Sequence, residues 1–204
     1  QKKSQKGDDG GSSKGKGNPQ KGCPKCPRAG APVNPVLGTK TLGDALDLDF
    51  HIKAPMPLSW QRNYISNNPR SGLFGQGWSS LSDSSLLIKA DAIVFLEPHG
   101  RELKFKPINV GDSNQWAMEQ LVLTHPTSNE YRIETDNGIL IFKPTNHKRD
   151  KYCLKRVEDL NGNGLSYRYN HYKIPGLEDR LTHILTDDRR IFELCYLDSE
   201  AHER

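Results

Sequence analysis

From Leu86 onward one unit recurs: an alternating apolar stretch, a short polar turn, and a second alternating stretch. Ile93–Phe105, Tyr131–Phe142, Val157–Tyr169 and Leu181–Tyr196 each follow this plan. Their turns fall near Gly100, Gly138, Gly162 and Asp188, about 38, 24 and 26 residues apart. Period-two alternation broken by glycine and Asx turns is the signature of antiparallel hairpins, and Asn137-Gly138 is the strongest such turn signal here. A lone hairpin is only marginally stable in water, so hairpins in series are expected to stack into one sheet. Only Asn114 to Leu123 has a spacing that could suit a helix. The chain is therefore predicted to be mainly β, built of successive antiparallel hairpins.

The stretch before Leu86 reads differently. Ala31 to Gly38 holds two prolines and a glycine, which argues for an extended lead-in and a turn. Leu46, Leu48, Phe50 and Ile52 alternate with Asp47, Asp49 and His51, as a half-buried strand would. Leu58 to Ser66 reads as one further strand carrying Trp60 and Tyr64. Asn67 to Gly72 is turn chemistry, and Gly75 and Gly77 flank Gln76 where the backbone needs positive φ or a close approach. Two of the three tryptophans, Trp60 and Trp78, sit in this stretch beside no His, Cys, Asp or Glu between Pro57 and Trp78. That composition points to a structural corner. Stacking of a sugar or base on Trp60, Tyr64, Phe74 and Trp78 is the alternative.

Only 34% of the 204 residues are hydrophobic and mean hydropathy is −0.76. Residues 1–28 account for much of this, since apart from Cys23 and Cys26 they offer nothing apolar to bury. They are expected to form a disordered Lys/Gly/Ser-rich linker. The same residues carry a net charge of +6, and the whole chain +4, which leaves −2 for residues 29–204. The basic balance thus belongs to a tether, and nucleic-acid binding through the remainder is not expected. No apolar run approaches the ~20 residues of a membrane span, and the polar start lacks the apolar stretch of a secretory signal. The chain opens at Gln1 without Met, so a fragment of a longer polypeptide is expected.

Reactive or metal-binding constellations are sparse. Cys23-Pro-Lys-Cys26 has the spacing of half a zinc site, but no second pair exists to complete four ligands. Cys153 and Cys195 stand alone in strand-like contexts. Asp159-Leu-Asn-Gly-Asn-Gly164 matches the first half of a calcium loop, yet Asn170 stands where the twelfth-position glutamate belongs, and a hairpin turn is the better reading. Asp47, Asp49 and His51 share one strand face that could gather a cation or simply face water. Gly38-Thr-Lys-Thr41 lacks the Gly-Lys pair of a phosphate loop. No nucleophile elbow, zincin helix or dinucleotide fingerprint occurs. No catalytic residue and no cofactor is expected, and Cys23 and Cys26 are the weak metal candidates.

Several motifs occur in a fixed order: Pro32-Val-Asn34-Pro35-Val-Leu-Gly38, then Leu42-Gly-Asp44, then Pro57-Leu-Ser-Trp60-Gln-Arg62-Asn-Tyr64, then Gly75-Gln-Gly77-Trp78. Together these resemble the opening of the Rhs/YD-repeat core of bacterial polymorphic toxins. The hairpins ending in Leu-Ser-Tyr-Arg-Tyr169 and Leu-Cys-Tyr196 are similar to degenerate Rhs repeats, so the resemblance covers roughly Ala29 to Tyr196. It implies a β-ribbon wound into a hollow shell around a C-terminal toxin. Such proteins commonly leave the bacterial cytoplasm on a type VI secretion spike, through a PAAR- or VgrG-like element. The implied partners are the remainder of the shell, its toxin and that spike. Residues 1–28 would be linker, 29–85 the N-terminal opening of the core, and 86–204 the hairpin region. Some members are cut near the N-terminal boundary of the shell, which corresponds to the polar tail before Ala31. The competing readings are a self-standing β-rich module binding carbohydrate or protein, and an enzyme fragment.

Overall fold

The computed structural model describes residues 33–34, 39–42, 48–144, 150–171 and 178–196. Among them the chain is mostly antiparallel β-sheet, with one 3-10 turn at Leu81–Asp83 and no α-helix. The largest sheet holds strands β9 (Ser85–Ile88), β10 (Ile93–Leu96), β11 (Glu102–Phe105), β12 (Ser113–Trp116), β13 (Leu121–Thr127), β14 (Glu130–Thr135), β15 (Gly138–Pro144) and β16 (Lys151–Glu158). Beyond them lie β17 (Gly164–His171), β18 (Glu178–Thr186) and β19 (Ile191–Glu193). Strand β16 returns to pair β9, with Tyr152 opposite Leu86. The first eight of these strands therefore run in the order β11-β10-β9-β16-β15-β14-β13-β12, a nearly closed barrel. Its seam lies between β11 and β12. There the Phe105 and Trp116 rings meet edge-on at 5.7 Å and Asn114 Nδ2 donates to the Lys106 carbonyl at 3.3 Å.

The alternation that predicts these strands also fills their interior. Leu103 and Phe105 are buried while Glu102 and Lys104 are exposed, and Leu121, Leu123 and His125 share the inward face of β13. Leu86, Leu123, Ile133, Phe142 and Leu154 are completely buried. Phe95 meets Phe142 edge-on at 5.9 Å, and Tyr131 bridges His125 and Tyr152. An eight-stranded closure is just wide enough to be filled by its own side chains. This one is packed by that apolar cluster.

Three hairpins use one turn design. Glu97, Asp159 and Thr186 each accept from the amide three residues on and donate to the carbonyl four residues on. The loops are Pro98-His-Gly100, Leu160-Asn-Gly162 and Asp187-Asp-Arg189. Each places its third residue in the left-handed region, with φ of 84°, 82° and 69°. At Asp136-Asn137 the loop has two residues instead, and Gly138 opens β15. A Cβ on Gly138 would lie 1.9 Å from the Glu158 carbonyl oxygen, so close approach of β16 is what demands glycine there.

Before Ser85 the sheets are small. β1 (Val33–Asn34), β2 (Thr39–Leu42), β5 (Asn63–Ile65) and β8 (Trp78–Ser79) form one; β3 (Leu48–Ile52) and β4 (Leu58–Gln61) form a second; β6 (Ser71–Gly72) and β7 (Gly75–Gln76) form a third. Three expectations are corrected here. The single strand read over Leu58–Ser66 breaks at Arg62 into β4 and β5, which belong to different sheets. The apolar face of β3 is only partly packed: Ile52 lies against the core, but Leu48 and Phe50 are 39% and 42% exposed, and among the described residues β3 pairs only β4. The helical spacing over Asn114 to Leu123 is β12, a turn and β13; the apolar residues there alternate along strands whose cross-strand ladder outweighs local propensity. Leu46 and Asp47 lie outside the described residues.

Candidate functional site

The corner between β3 and β8 is built around Arg62, the residue at which one strand becomes two. Ending β4 at Gln61 and starting β5 at Asn63 turns the guanidinium between neighbouring rings. It lies 5.3 Å from the ring centres of both Phe74 and Trp78. Its Nε and Nη2 donate to the two carboxylate oxygens of Asp49 at 2.8 and 2.6 Å. This forked bond raises the Arg62 pKa further and fixes the side chain in one plane. Trp60 stacks flat on Phe50, 9° off parallel at 6.0 Å, and meets Phe74 edge-on. Tyr64 lies opposite Trp78 in the β5–β8 register, with ring centres 5.0 Å apart. Phe50, Trp60, Phe74, Arg62, Trp78 and Tyr64 thus form one continuous run of stacked groups.

Backbone geometry sets this run. Gly75 and Gly77 have φ of 96° and 81°. A Cβ on Gly77 would meet Tyr64 Cε2 at 2.8 Å, whereas one on Gly75 would meet nothing. Gly77 also donates to the Arg70 carbonyl and accepts from Ile65. The following turn is capped by Asp83, whose carboxylate accepts from the amides of Leu73 and Ser80 and from the Ser80 hydroxyl. Ser80-Leu-Ser-Asp83 has the spacing of a capping box, a signal present in the sequence and not used there. Asn63 ties the corner to the barrel by donating to the Pro98 carbonyl at 3.3 Å.

The candidate cation ligands do not assemble. Asp49 directs both oxygens to Arg62, and His51 Nδ1 pairs with Ser59 Oγ at 2.9 Å. Asp159 closes on its own turn: it accepts from the amides of Asn161 and Asn163 and from Asn163 Nδ2, and the Asn163 side-chain bond leads in lowering its pKa. Among the described residues no three His, Cys, Asp or Glu side chains gather as a metal site. Of the sequence motif residues, Trp60, Arg62, Tyr64, Gly75, Gly77 and Trp78 come together. Asn34 pairs with Thr39 at the start of the β1–β2 ladder. Pro32, Pro35, Gly38, Cys23 and Cys26 lie outside the described residues. Sequence reasoning did not find Asp49 as the partner of Arg62, because no spacing rule links the two across β3 and β4.

Residues 30–105, which include this corner, match the family described as Domain of unknown function (DUF6531). Over 98 residues the chain is 37% identical to the toxin protein Tse5 of Pseudomonas aeruginosa, covering 48% of this chain and 7% of that protein. Over 160 residues it is 24% identical to double-stranded DNA deaminase toxin A of Burkholderia cenocepacia, covering 77% of this chain and 11% of that protein. The chain thus matches a small part of the length of these curated relatives, and it is a β-rich segment related to toxin proteins. Among the described residues no helix is long and apolar enough to cross a membrane.

Proposed function

We propose that this chain is the opening wall segment of an Rhs/YD-type shell that encloses and delivers a C-terminal toxin in interbacterial competition. The unfinished sheet carries the reading. Leu48 and Phe50 of β3 are 39% and 42% exposed, and β19, with Ile191 61% exposed, pairs only β18 among the described residues. Both are surfaces that further polypeptide would cover. The ordered motifs from Pro32 to Trp78 and the similarity to two toxins support the same reading. In it, residues 1–28 tether the segment, 29–85 open the core and 86–204 extend the wall. The barrel is filled by its own side chains, so it thickens the wall, and the lumen belongs to later hairpins. The segment has no active site of its own, and catalysis resides in the enclosed toxin. The partners are the rest of the shell, that toxin and a PAAR- or VgrG-like spike of a type VI secretion system. The protein is held in the bacterial cytoplasm until export into a target cell.

Limited proteolysis of the whole polypeptide tests this. The C-terminal toxin is expected to resist protease in the intact protein and to be digested once residues 48–79 are deleted. Equal resistance in both proteins would rule the wall role out.

A further inference from the structure

Backbone ladders join each strand of the near-barrel to the next except between β11 and β12, the two ends of its strand order. These two strands nevertheless lie alongside each other in antiparallel alignment. As β11 runs forward, its contacts across the seam run backward: Arg101 with Glu119, Phe105 with Trp116, and the Lys106 carbonyl with Asn114. Each of these contacts is made by a side chain from at least one strand. Elsewhere the sheet is held by its backbone, with four paired residues between β10 and β11 and five between β14 and β15. A seam without a ladder is where such a sheet opens most readily.

Arg101 is the strongest of the ties. Its Nη1 and Nη2 donate to the two Glu119 oxygens at 2.7 and 2.9 Å, and its Nε and Nη2 donate to Glu97 at 2.7 and 3.0 Å. Glu97 opens the β10–β11 turn and Glu119 lies in the β12–β13 turn. The guanidinium is thus anchored to its own hairpin and fastens the neighbouring one. The Glu119 bond, foremost, raises the Arg101 pKa further. Yet the Arg101 and Glu119 side chains are 53% and 31% exposed, so water and salt compete for this contact.

The connection between the two strands divides in two. Asn109 and Asp112 bond each other, the Gly111 amide donates to the His125 carbonyl, and the His125 amide donates to the Asp112 carbonyl. Residues 109–112 are therefore fastened to β13, which leaves Lys106-Pro107-Ile108 to join them to β11.

We propose that the β11–β12 seam is a latched opening in the barrel, at which β12 parts from β11 about Lys106–Ile108 when Arg101 releases Glu119. A few residues at the end of an element suffice to absorb such a motion. Opening uncovers Leu103 and Phe105, which are buried while the seam is shut, and bares two strand edges able to pair with other polypeptide. The inference is independent of whether the chain serves as shell wall.

Trp116 stands at the seam and reports on it. The test is fluorine relaxation dispersion on the full 204-residue chain carrying 5-fluorotryptophan, which reads microsecond-to-millisecond exchange. The Trp116 signal, assigned by its loss in Trp116→Phe, is expected to exchange between a major shut state and a minor open one. The Trp60 and Trp78 signals should not share that exchange. Glu119→Gln keeps the Arg101–Glu97 bond and removes the charge across the seam, so it should enlarge the minor population at least threefold. Asn114→Ala should enlarge it less. Arg132→Gln, which removes an ion pair with Glu130 on β14, should leave it unchanged. Raising salt from about 0.05 M to about 1 M should enlarge the minor population in the wild type but not in Glu119→Gln, a response that a packing role alone does not give. A Trp116 signal without exchange in both proteins would overturn the proposal, as would equal minor populations in the two. Should Glu119→Gln fail to fold, a wild-type Trp116 signal indifferent to salt overturns it instead.

Discussion

Two regions of this molecule solve the same problem differently. Strands β9 to β16 close apolar side chains inside a near-barrel. From Thr39 to Ser84 only Leu58 is a fully buried apolar side chain among the described residues, and the buried groups are otherwise Thr, Asn and Ser. The barrel rests on non-directional burial, at about 25 cal/mol per Å² of apolar surface. The corner rests on directional contacts: a forked ion pair, a guanidinium between rings, a capped turn. Burial tolerates small shifts, whereas directional contacts fail as a set. The barrel therefore supplies the stability, and the corner keeps its geometry only while attached to something stable.

The largest effect is expected where a side chain is forced into the barrel backbone. Gly138→Ala places a carbon against the Glu158 carbonyl, and should cost about 4 kcal/mol or prevent folding. Phe142→Ala empties a fully buried site and should cost ~3–5 kcal/mol, read by chemical denaturation. Arg62→Ala should cost about 1 kcal/mol, because its ring contacts and its ion pair with Asp49 are both partly exposed. It should also shift tryptophan fluorescence while amide protection in β13–β15 stays as it was. Were protection lost throughout, the two regions would not be separable.

Smaller effects sharpen the comparison within the barrel extension. Arg156 holds Glu158 and Asp187 together and reaches Ser166, joining β16, β17 and the turn after β18. The Arg156 bond, foremost, holds the Asp187 pKa below the usual carboxylate value, and the Gly164 amide adds to it. A depressed folded-state pKa stabilises above the unfolded value of about 3.9 and is lost as pH falls through the folded one. Stability should therefore decline below about pH 4, and Asp187→Asn should flatten that decline at a neutral-pH cost of about 1 kcal/mol, given its partial exposure. The smallest changes concern loop residues in the left-handed region. Gly162→Ala meets no atom within 4 Å and should cost about 1 kcal/mol of backbone strain alone. Arg189→Gly should gain several tenths of a kcal/mol, up to about 1, by relieving the same strain.

The hairpins were legible because period-two alternation and glycine turns are local signals. The turn at Arg189 carries no glycine, yet Asp187-Asp188 marked it. What could not be read was pairing at a distance: nothing in Lys151–Glu158 announces that one strand has three neighbours. Alternation in Leu48–Ile52 shows that one face is apolar but not whether anything covers it. The break at Arg62 was hidden for a related reason: Gln61-Arg62-Asn63 interrupts the alternation, but no Gly or Pro there marks a change of sheet. At the corner, the motif residues Trp60, Arg62, Tyr64, Gly77 and Trp78 were identifiable, whereas Asp49, the partner of Arg62, emerged only once β3 lay against β4.

If the proposed wall role holds, β9–β16 is stable by itself and the β3–β4 ribbon is covered by further polypeptide in the whole protein. Hydrogen–deuterium exchange of the isolated chain and of the whole polypeptide measures this directly. Amides of β9–β16 should be protected in both, while those of β3 and β4 should exchange rapidly in isolation and slowly in the whole protein. A ribbon equally protected in both, or equally unprotected in both, would contradict the account.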